Sequence, residues 1–330
     1  MKISIITAAK NNKSGLIRAI ESVRSQTYKN VEHIIVDGGS TDGSSEILKA
    51  EIGNQKSDLY SLVSISEADS GIYDAINKGI KLATGDIIGL LHSDDYYKDE
   101  FVLEKYAEAF QDQSIKKKEQ SILSSPEDAR DTKDFSVTAL LRNDNPLPPA
   151  NHQLPAIDAV YSDLIYVKSE KPEVRSKDMV FKKIENSELN IYHSVIRYWK
   201  AHNLGNGVKK TINESLITNK LLLNGWMPPH PTLFIKKEIF AKYGLYRTDM
   251  KIAADYEMVL RLFYKHRITA NYLPLTTYCM TIGGASNKSL KNILLKSKED
   301  FRAMILHSLP IPLKTLFFKN ISKLTQFIRR

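Results

Sequence analysis

Along the first hundred residues, compact apolar runs alternate with segments in which apolar positions recur every three or four residues. Lys2–Thr7 predicts a strand. Ser14 can cap a following helix whose apolar positions are Leu16, Ile20 and Val23. Glu32–Val36 predicts a second strand, ending in Asp37-Gly38-Gly39-Ser40-Thr41-Asp42-Gly43-Ser44, and Tyr60–Ser66 a third. Ile72, Ile76 and Ile80 mark another helix, and Asp86–Leu91 a fourth strand running into His92-Ser93-Asp94-Asp95. Strands alternating with helices imply a mostly parallel α/β sheet with right-handed crossovers. Ligands of such sheets collect at the carboxyl ends of the strands, where three polar loops fall here.

The pattern dissolves from about Gln111 to Pro155, which holds 5 of the 12 prolines and few periodic apolar positions. This stretch reads as an insertion or flap. Order returns with a strand at Ile157–Ser162. A second irregular zone, Lys168–Lys210, contains an aromatic patch at helical spacing, Tyr192, Ile196 and Trp199. A strand at Thr232–Ile235, helices at Lys237–Tyr243 and Ala254–Lys265, and a strand near Thr269–Met280 follow. The expected organisation is a ligand-binding half over 1–110, an inserted segment over 111–156, a second half over 157–285, and a basic helical extension over 286–330.

Charge changes the picture at one end. The chain has 47 Lys+Arg against 38 Asp+Glu, a net of +9. Between Lys288 and Arg330 stand 10 basic and 2 acidic residues, whereas the first hundred residues hold 11 basic and 15 acidic. A nucleic-acid partner is therefore not expected, because the best-organised part is acidic. The basic tail interleaves apolar residues such as Leu313, Phe317, Ile321, Leu324 and Ile328. That pattern suits either peripheral contact with an anionic membrane through residues 310–330 or an apolar stripe packed on the domain. No apolar run reaches the roughly 18 residues of a spanning helix. The single cysteine, Cys279, has no partner for an internal disulfide. With no secretory signal pattern after Met1, a cytoplasmic location is expected, peripheral at the inner face of the membrane if the tail binds lipid.

Candidate chemistry sits in the strand-end loops. Asp94 and Asp95 are adjacent carboxylates that repel each other unless a cation compensates, and hard ions such as Mg²⁺ or Mn²⁺ bind through one or two carboxylates plus substrate phosphates. On its own the pair reads as a solvated turn capping the helix near Glu100. Asp37 is placed to accept from a base or ribose, although a plain tight turn with an Asp or Ser cap explains the loop better in isolation. Lys78, on the helix opened by Ser70-Gly71, could reach a phosphate, although most such lysines are solvated. Asp255 begins a helix with an apolar face. The helix dipole favours an acid there, and a general base on a rigid element would sit the same way. His230, between prolines, reads first as a packed loop histidine.

Taken in order, these segments resemble the inverting glycosyltransferases of family 2, with their nucleotide-sugar-binding GT-A fold, especially the bacterial cell-surface polysaccharide branch. The match runs through Ser4-Ile5-Ile6-Thr7-Ala8, Val36–Gly43, Asp69–Gly79, Gly85-Asp86 and Ser93-Asp94-Asp95. It resumes at His230-Pro231-Thr232-Leu233-Phe234 and ends with Ala254-Asp255-Tyr256-Glu257 and Leu260-Arg261-Leu262. The resemblance implies that Thr7, Ala8 and Asp37 line the nucleotide pocket, with Lys78 beside it. Asp94 would contact ribose or phosphate, Asp95 would ligate a divalent cation (Mn or Mg) on the diphosphate, and Asp255 would be the catalytic base. The implied donor is a nucleoside diphosphate sugar and the implied acceptor a hydroxyl of a glycan or lipid-linked acceptor. Lys10 departs from the residue many relatives carry. The terminal Gln326-Phe327-Ile328-Arg329-Arg330 lacks the Trp of the Q-x-x-R-W of processive synthases. A nucleotidyltransferase would need a glycine-rich triphosphate loop after the first strand, which is missing. A non-catalytic module docking through the tail would have no need of both Asp95 and Asp255.

Overall fold

The computed structural model describes residues 1–53, 60–111, 157–170, 179–183, 190–199, 221–282 and 289–328. The expected insertion, apart from residue 111, lies outside the described residues. The first half reads β1 (Ile3–Ala9), α1 (Lys13–Arg24), β2 (Val31–Asp37), α2 (Ser44–Gly53), β3 (Tyr60–Ser66), α3 (Ile72–Leu82) and β4 (Ile87–Leu90). Then come β5 (Tyr96–Tyr97), α4 (Val102–Gln111), β6 (Ala159–Glu170), β7 (Met179–Lys183) and β8 (Asn190–Trp199). A 3₁₀ turn at His230–Thr232 leads into β9 (Phe234–Lys236) and α5 (Lys237–Tyr243). The chain continues with α6 (Ala254–Val259), a π turn over Leu260–Lys265, β10 (Ala270–Thr281), α7 (Leu290–Leu306) and α8 (Pro312–Ile328).

The strands form one mixed sheet ordered β3-β2-β1-β4-β9-β6-β10-β5, with β8 pairing on β6 and β7 on β8. The β3-β2-β1-β4 block is parallel, as is β6 with β10, while β9 runs antiparallel between them. β1 is apolar on both faces because helices cover both. Ile3 and Ile5 pack with Leu16, Ile20 and Val23 of α1, and Ile6 packs with Ile76 and Ile80 of α3. Close approach is built in with glycine. A Cβ on Gly79 would stand 2.4 Å from Ile6 Cγ2, and one on Gly89 would stand 2.5 Å from the Phe234 ring.

Two expectations change. Tyr192, Ile196 and Trp199 lie in strand β8, not in a helix, which pairs antiparallel with β6 and β7. A four-residue spacing suits a strand as well as a helix, and the run is rich in aromatic and β-branched residues that favour ladders. The strand expected at Thr232–Ile235 starts later, at Phe234, because Pro231 cannot donate to a ladder and the preceding residues close a 3₁₀ turn. The tail packs on the body: Thr315 and Lys319 of α8 are 1% and 2% exposed.

Phe234 stacks on Tyr106 with centroids 3.8 Å apart, so its ring has little room to yield. Gly89→Ala should therefore cost about 1–3 kcal/mol, read as a lower urea midpoint with an unchanged slope. An unchanged midpoint would contradict the tight crossing.

Candidate active site

Because β1, β2 and β4 are parallel and in register, with Ala9 beside Asp37 and Ile6 beside Leu90, their following loops emerge at one edge of the sheet. Two asparagines tie the three loops together. The Asn11 N–H donates to Ser40 Oγ (2.7 Å), and Asn11 Oδ1 accepts from the Thr41 N–H (2.8 Å). Asn12 caps α1 by accepting from the Gly15 N–H, while its Nδ2 donates to Ser93 Oγ (3.2 Å) and to the Asp94 carboxylate. Gly15 allows this contact, since a Cβ there would lie 2.3 Å from the Ser93 carbonyl oxygen. Neither asparagine was singled out from the sequence; the signal present was an Asn pair between a strand and a helix start.

Thr7 lies beneath the edge. It is fully buried, donates to the Leu91 carbonyl (2.7 Å) and therefore accepts from His33 Nε2 at 2.8 Å. The other His33 nitrogen is 3.5 Å from Tyr60 Oη. Burial pushes the His33 imidazole down to about 3, so it is neutral. Ala8 is partly exposed and lines a cavity of about 360 Å³ with Ala9, Lys10, Asp69, Gly71, Ile72 and Ala75.

The Asp37 carboxylate turns into its own loop, accepting from the Ser40 N–H and hydroxyl, Ser66 Oγ (2.6 Å) and Ser45 Oγ (3.0 Å). Burial alone would raise its pKa, but these donors hold it below the ordinary carboxylate value. Lys78 pairs with Glu67 (2.8 Å) and the Ala68 carbonyl (2.9 Å), with Asp74 at 3.7 Å.

Asp94 is exposed, whereas Asp95 is 3% exposed. One Asp95 oxygen accepts from Tyr278 Oη (3.0 Å) and the other from the Thr281 N–H (2.8 Å), both on β10. Burial outweighs those bonds and pushes this carboxyl up to about 7. Among the described residues no group of three or more His, Cys, Asp or Glu side chains is arranged to hold a metal. Two carboxylates with spare lone pairs nevertheless fit the mode in which a hard cation takes its remaining ligands from phosphates and water.

Asp255 belongs to the same neighbourhood. His230 Nδ1 is 3.2 Å from Asp255 Oδ2, and Tyr73 Oη on α3 is 3.3 Å from Oδ1 while donating to the Ile252 carbonyl (2.8 Å). His230 Nε2 meets His92 Nε2 at 3.4 Å, and the His92 backbone N–H donates to Tyr278 Oη (3.0 Å), the hydroxyl that serves Asp95. A continuous path of contacts, Asp255–His230–His92–Tyr278–Asp95, thus joins the two aspartates. Burial pushes both imidazoles down, His92 to about 3. Burial would raise the Asp255 carboxyl, but His230, Lys319, the Tyr256 amide and Lys296 together hold it below its ordinary value.

Residues 4–115 match the family model described as Glycosyl transferase family 2. An uncharacterized glycosyltransferase of Mycobacterium tuberculosis is 39% identical over 108 residues, covering 32% of this chain and 39% of that protein. The Escherichia coli UDP-Glc:alpha-D-GlcNAc-diphosphoundecaprenol beta-1,3-glucosyltransferase WfaP is 39% identical over 95 residues, covering 29% of this chain and 36% of that one. The match therefore spans well under half the length of these curated relatives. Among solved structures, S. aureus TarS aligns with 94% of this chain and 40% of its own (TM-score 0.53, 13% identity). The Pyrobaculum calidifontis mannosyltransferase PcManGT, in complex with GDP-Man and Mn²⁺, aligns with 96% of this chain and 68% of its own (TM-score 0.51, 14% identity).

His33 yields a pH prediction. Its folded pKa of about 3 lies below the unfolded value near 6.5, so the unfolded chain binds the extra proton between them. His33 thus removes stability as pH falls from about 6.5 towards 3, by roughly 1.4 kcal/mol per unit. Urea titrations of His33→Gln from pH 7 to 4.5 should show a shallower decline than the parent, and an equal slope would contradict a buried neutral His33.

The strand-end loops, the fold behind them and the matched segment converge: residues 4–115 match the model of Glycosyl transferase family 2, within a GT-A-like α/β fold followed by C-terminal helices.

Proposed function

We propose that the protein transfers one sugar from a nucleoside diphosphate sugar to an acceptor hydroxyl, with inversion at the anomeric carbon. The observation that carries this is the contact path joining Asp95 to Asp255, because it sets a leaving-group site and a base site in one neighbourhood. The nucleotide is assigned to the edge formed by Ala8, Lys10, Asp69 and Gly71, with Asp37 shaping the adjoining loop through its serines. Thr7 supports that floor from below, and Lys78 adds positive charge at its margin.

Asp94 and Asp95 would hold a divalent cation together with the donor's diphosphate. When bound, such an ion neutralises charge building on the departing diphosphate. Its neighbourhood would also favour the ionised form of the buried Asp95 carboxyl. The related PcManGT structure contains Mn²⁺, which supports this assignment. Asp255 accepts the proton of the attacking hydroxyl. Its depressed pKa keeps it ionised at neutral pH, and His230 and Tyr73 fix its two oxygens. The hydroxyl oxygen bonds to the anomeric carbon as the bond to the diphosphate oxygen breaks, in a single displacement from the opposite face.

The acceptor is assigned to the lipid-linked glycan class in surface polysaccharide synthesis, supported by the similarity to WfaP. No described helix is long and apolar enough to cross a membrane. α8 buries Thr315 and Lys319 on its inner side and leaves Leu313 (70%), Phe317 (60%) and Ile321 exposed, spaced four residues apart. That outward face, in the most basic part of the chain, is assigned to peripheral contact with anionic lipid at the cytoplasmic side.

A panel of uridine, guanosine and thymidine diphosphate sugars, each with Mn²⁺, should give one donor that stabilises the protein thermally and is turned over. Asp255→Asn should bind that donor normally and lose about 10²–10⁴-fold in turnover. Full activity would remove Asp255 from the base role. Asp94→Asn with Asp95→Asn should abolish the Mn²⁺-dependent part of the calorimetric donor affinity. Leu313→Asp with Phe317→Asp should lose co-sedimentation with anionic vesicles while keeping its melting temperature, whereas unchanged sedimentation would end the membrane assignment.

A further inference from the structure

α6 carries Asp255 but has no capping side chain of its own. Ala253 stands at its N-cap position and offers no acceptor. The acceptor comes from far along the chain. Glu299, in the middle of α7, takes the backbone N–H groups of Lys251 (2.9 Å), Ile252 (2.8 Å) and Ala253 (2.9 Å) on its two carboxylate oxygens. Glu299 is 7% exposed, so these are sheltered, charge-assisted bonds. They fix the three residues that lead into Asp255, and the Ile252 carbonyl is also the acceptor of Tyr73, which touches Asp255.

Glu299 is itself held by its surroundings. Its neighbour Asp300 is fully buried and accepts from Lys319 Nζ of α8 at 2.6 Å, with Lys296 at 3.5 Å. The Lys319 ammonium also lies 3.0 Å from the centroid of the Tyr256 ring, the residue after Asp255. Gly225 lets α8 come this close, since a Cβ there would stand 2.6 Å from the Lys319 nitrogen. Further along, Glu257 of α6 bonds His307 Nε2 at 2.9 Å, at the C-terminal end of α7.

We propose that Glu299 is a positioning residue for the reaction: it sets the orientation of Asp255 by holding the backbone that leads into α6, so the C-terminal helices are part of the catalytic apparatus. This rests on the glycosyltransferase reading for its kinetic consequence but not for its structural one. Glu299 touches neither donor nor acceptor, and its removal leaves the strand-end loops that bind the nucleotide intact. Losing these three bonds frees the backbone of residues 251–253 and lets the carboxylate of Asp255 sample orientations away from the attacking hydroxyl.

The test uses the full chain with Glu299→Ala, and Glu299→Gln should the first variant not fold. Hydrogen exchange of a peptide spanning residues 249–256 should accelerate at least tenfold while exchange in β1 stays at the parent rate. In the donor and acceptor assay, kcat should fall at least tenfold with the donor KM within twofold. The same substitution in an Asp255→Asn background should cost less than twofold, because a residue acting through Asp255 has nothing left to position. Unchanged exchange at 249–256, or an equal kcat loss in both backgrounds, would overturn the proposal. A parent protein without transferase activity would refute the glycosyltransferase reading instead, and the exchange result would still decide whether Glu299 holds the start of α6.

Discussion

A carboxylate taken out of water must find hydrogen-bond donors or a cation, or give up its charge, and this requirement organises the molecule. Asp37 is satisfied by three serines, Asp95 by a tyrosine and an amide of β10, and Glu299 by three successive backbone amides. Apart from Ser40 and Ser45 beside Asp37, the donors come from a distant part of the sequence. Asp95 and Tyr278 are 183 residues apart, and Lys251 and Glu299 are 48 apart. Each buried acid therefore works as a tie between segments that would otherwise meet only through apolar contact. Breaking one partner leaves the other uncompensated, which is the costly way to lose such a pair.

Two of these ties bear on chemistry. The Asp95–Tyr278 bond shares its hydroxyl with the His92 amide, and the His92 ring leads through His230 to Asp255. Burial pushes both imidazoles down, while the charge His230 carries when protonated is among the influences that lower Asp255. In the displacement proposed, stabilising a departing anion and accepting a proton would fall to carboxylates with opposite pKa tendencies. Burial raises Asp95, whereas its charged and hydrogen-bonding neighbours lower Asp255.

The parallel half of the fold was legible because β1, β2 and β4 are buried on both faces and read as continuous apolar runs. The strand-end position of Asp37, Asp94 and Asp95 followed from the same pattern. Which way each carboxylate turns was not legible. Asp37 turns towards Ser40 and Ser45 of its own loop and Ser66 of β3, and Asp95 turns into β10; Ser66 and Tyr278 are connected to them by no local spacing. Tyr192, Ile196 and Trp199 misled because a four-residue interval fits both periodicities and the partner strand β6 decides between them. The histidine pair escaped notice for a similar reason: His92 and His230 meet across 138 residues. The C-terminal helices looked like an appendage, since charge and apolar spacing say nothing of Glu299 bonding the chain ahead of Asp255.

The most direct measurement is a structure of the protein crystallised with Mn²⁺ and the nucleoside diphosphate that stabilises it best. The account predicts the base beside Ala8, Lys10 and Asp69, the metal-bound diphosphate at the Asp94-Asp95 loop, and its outer phosphate on the side that faces Asp255. A nucleotide bound elsewhere on the surface, or a diphosphate turned away from Asp255, would contradict it.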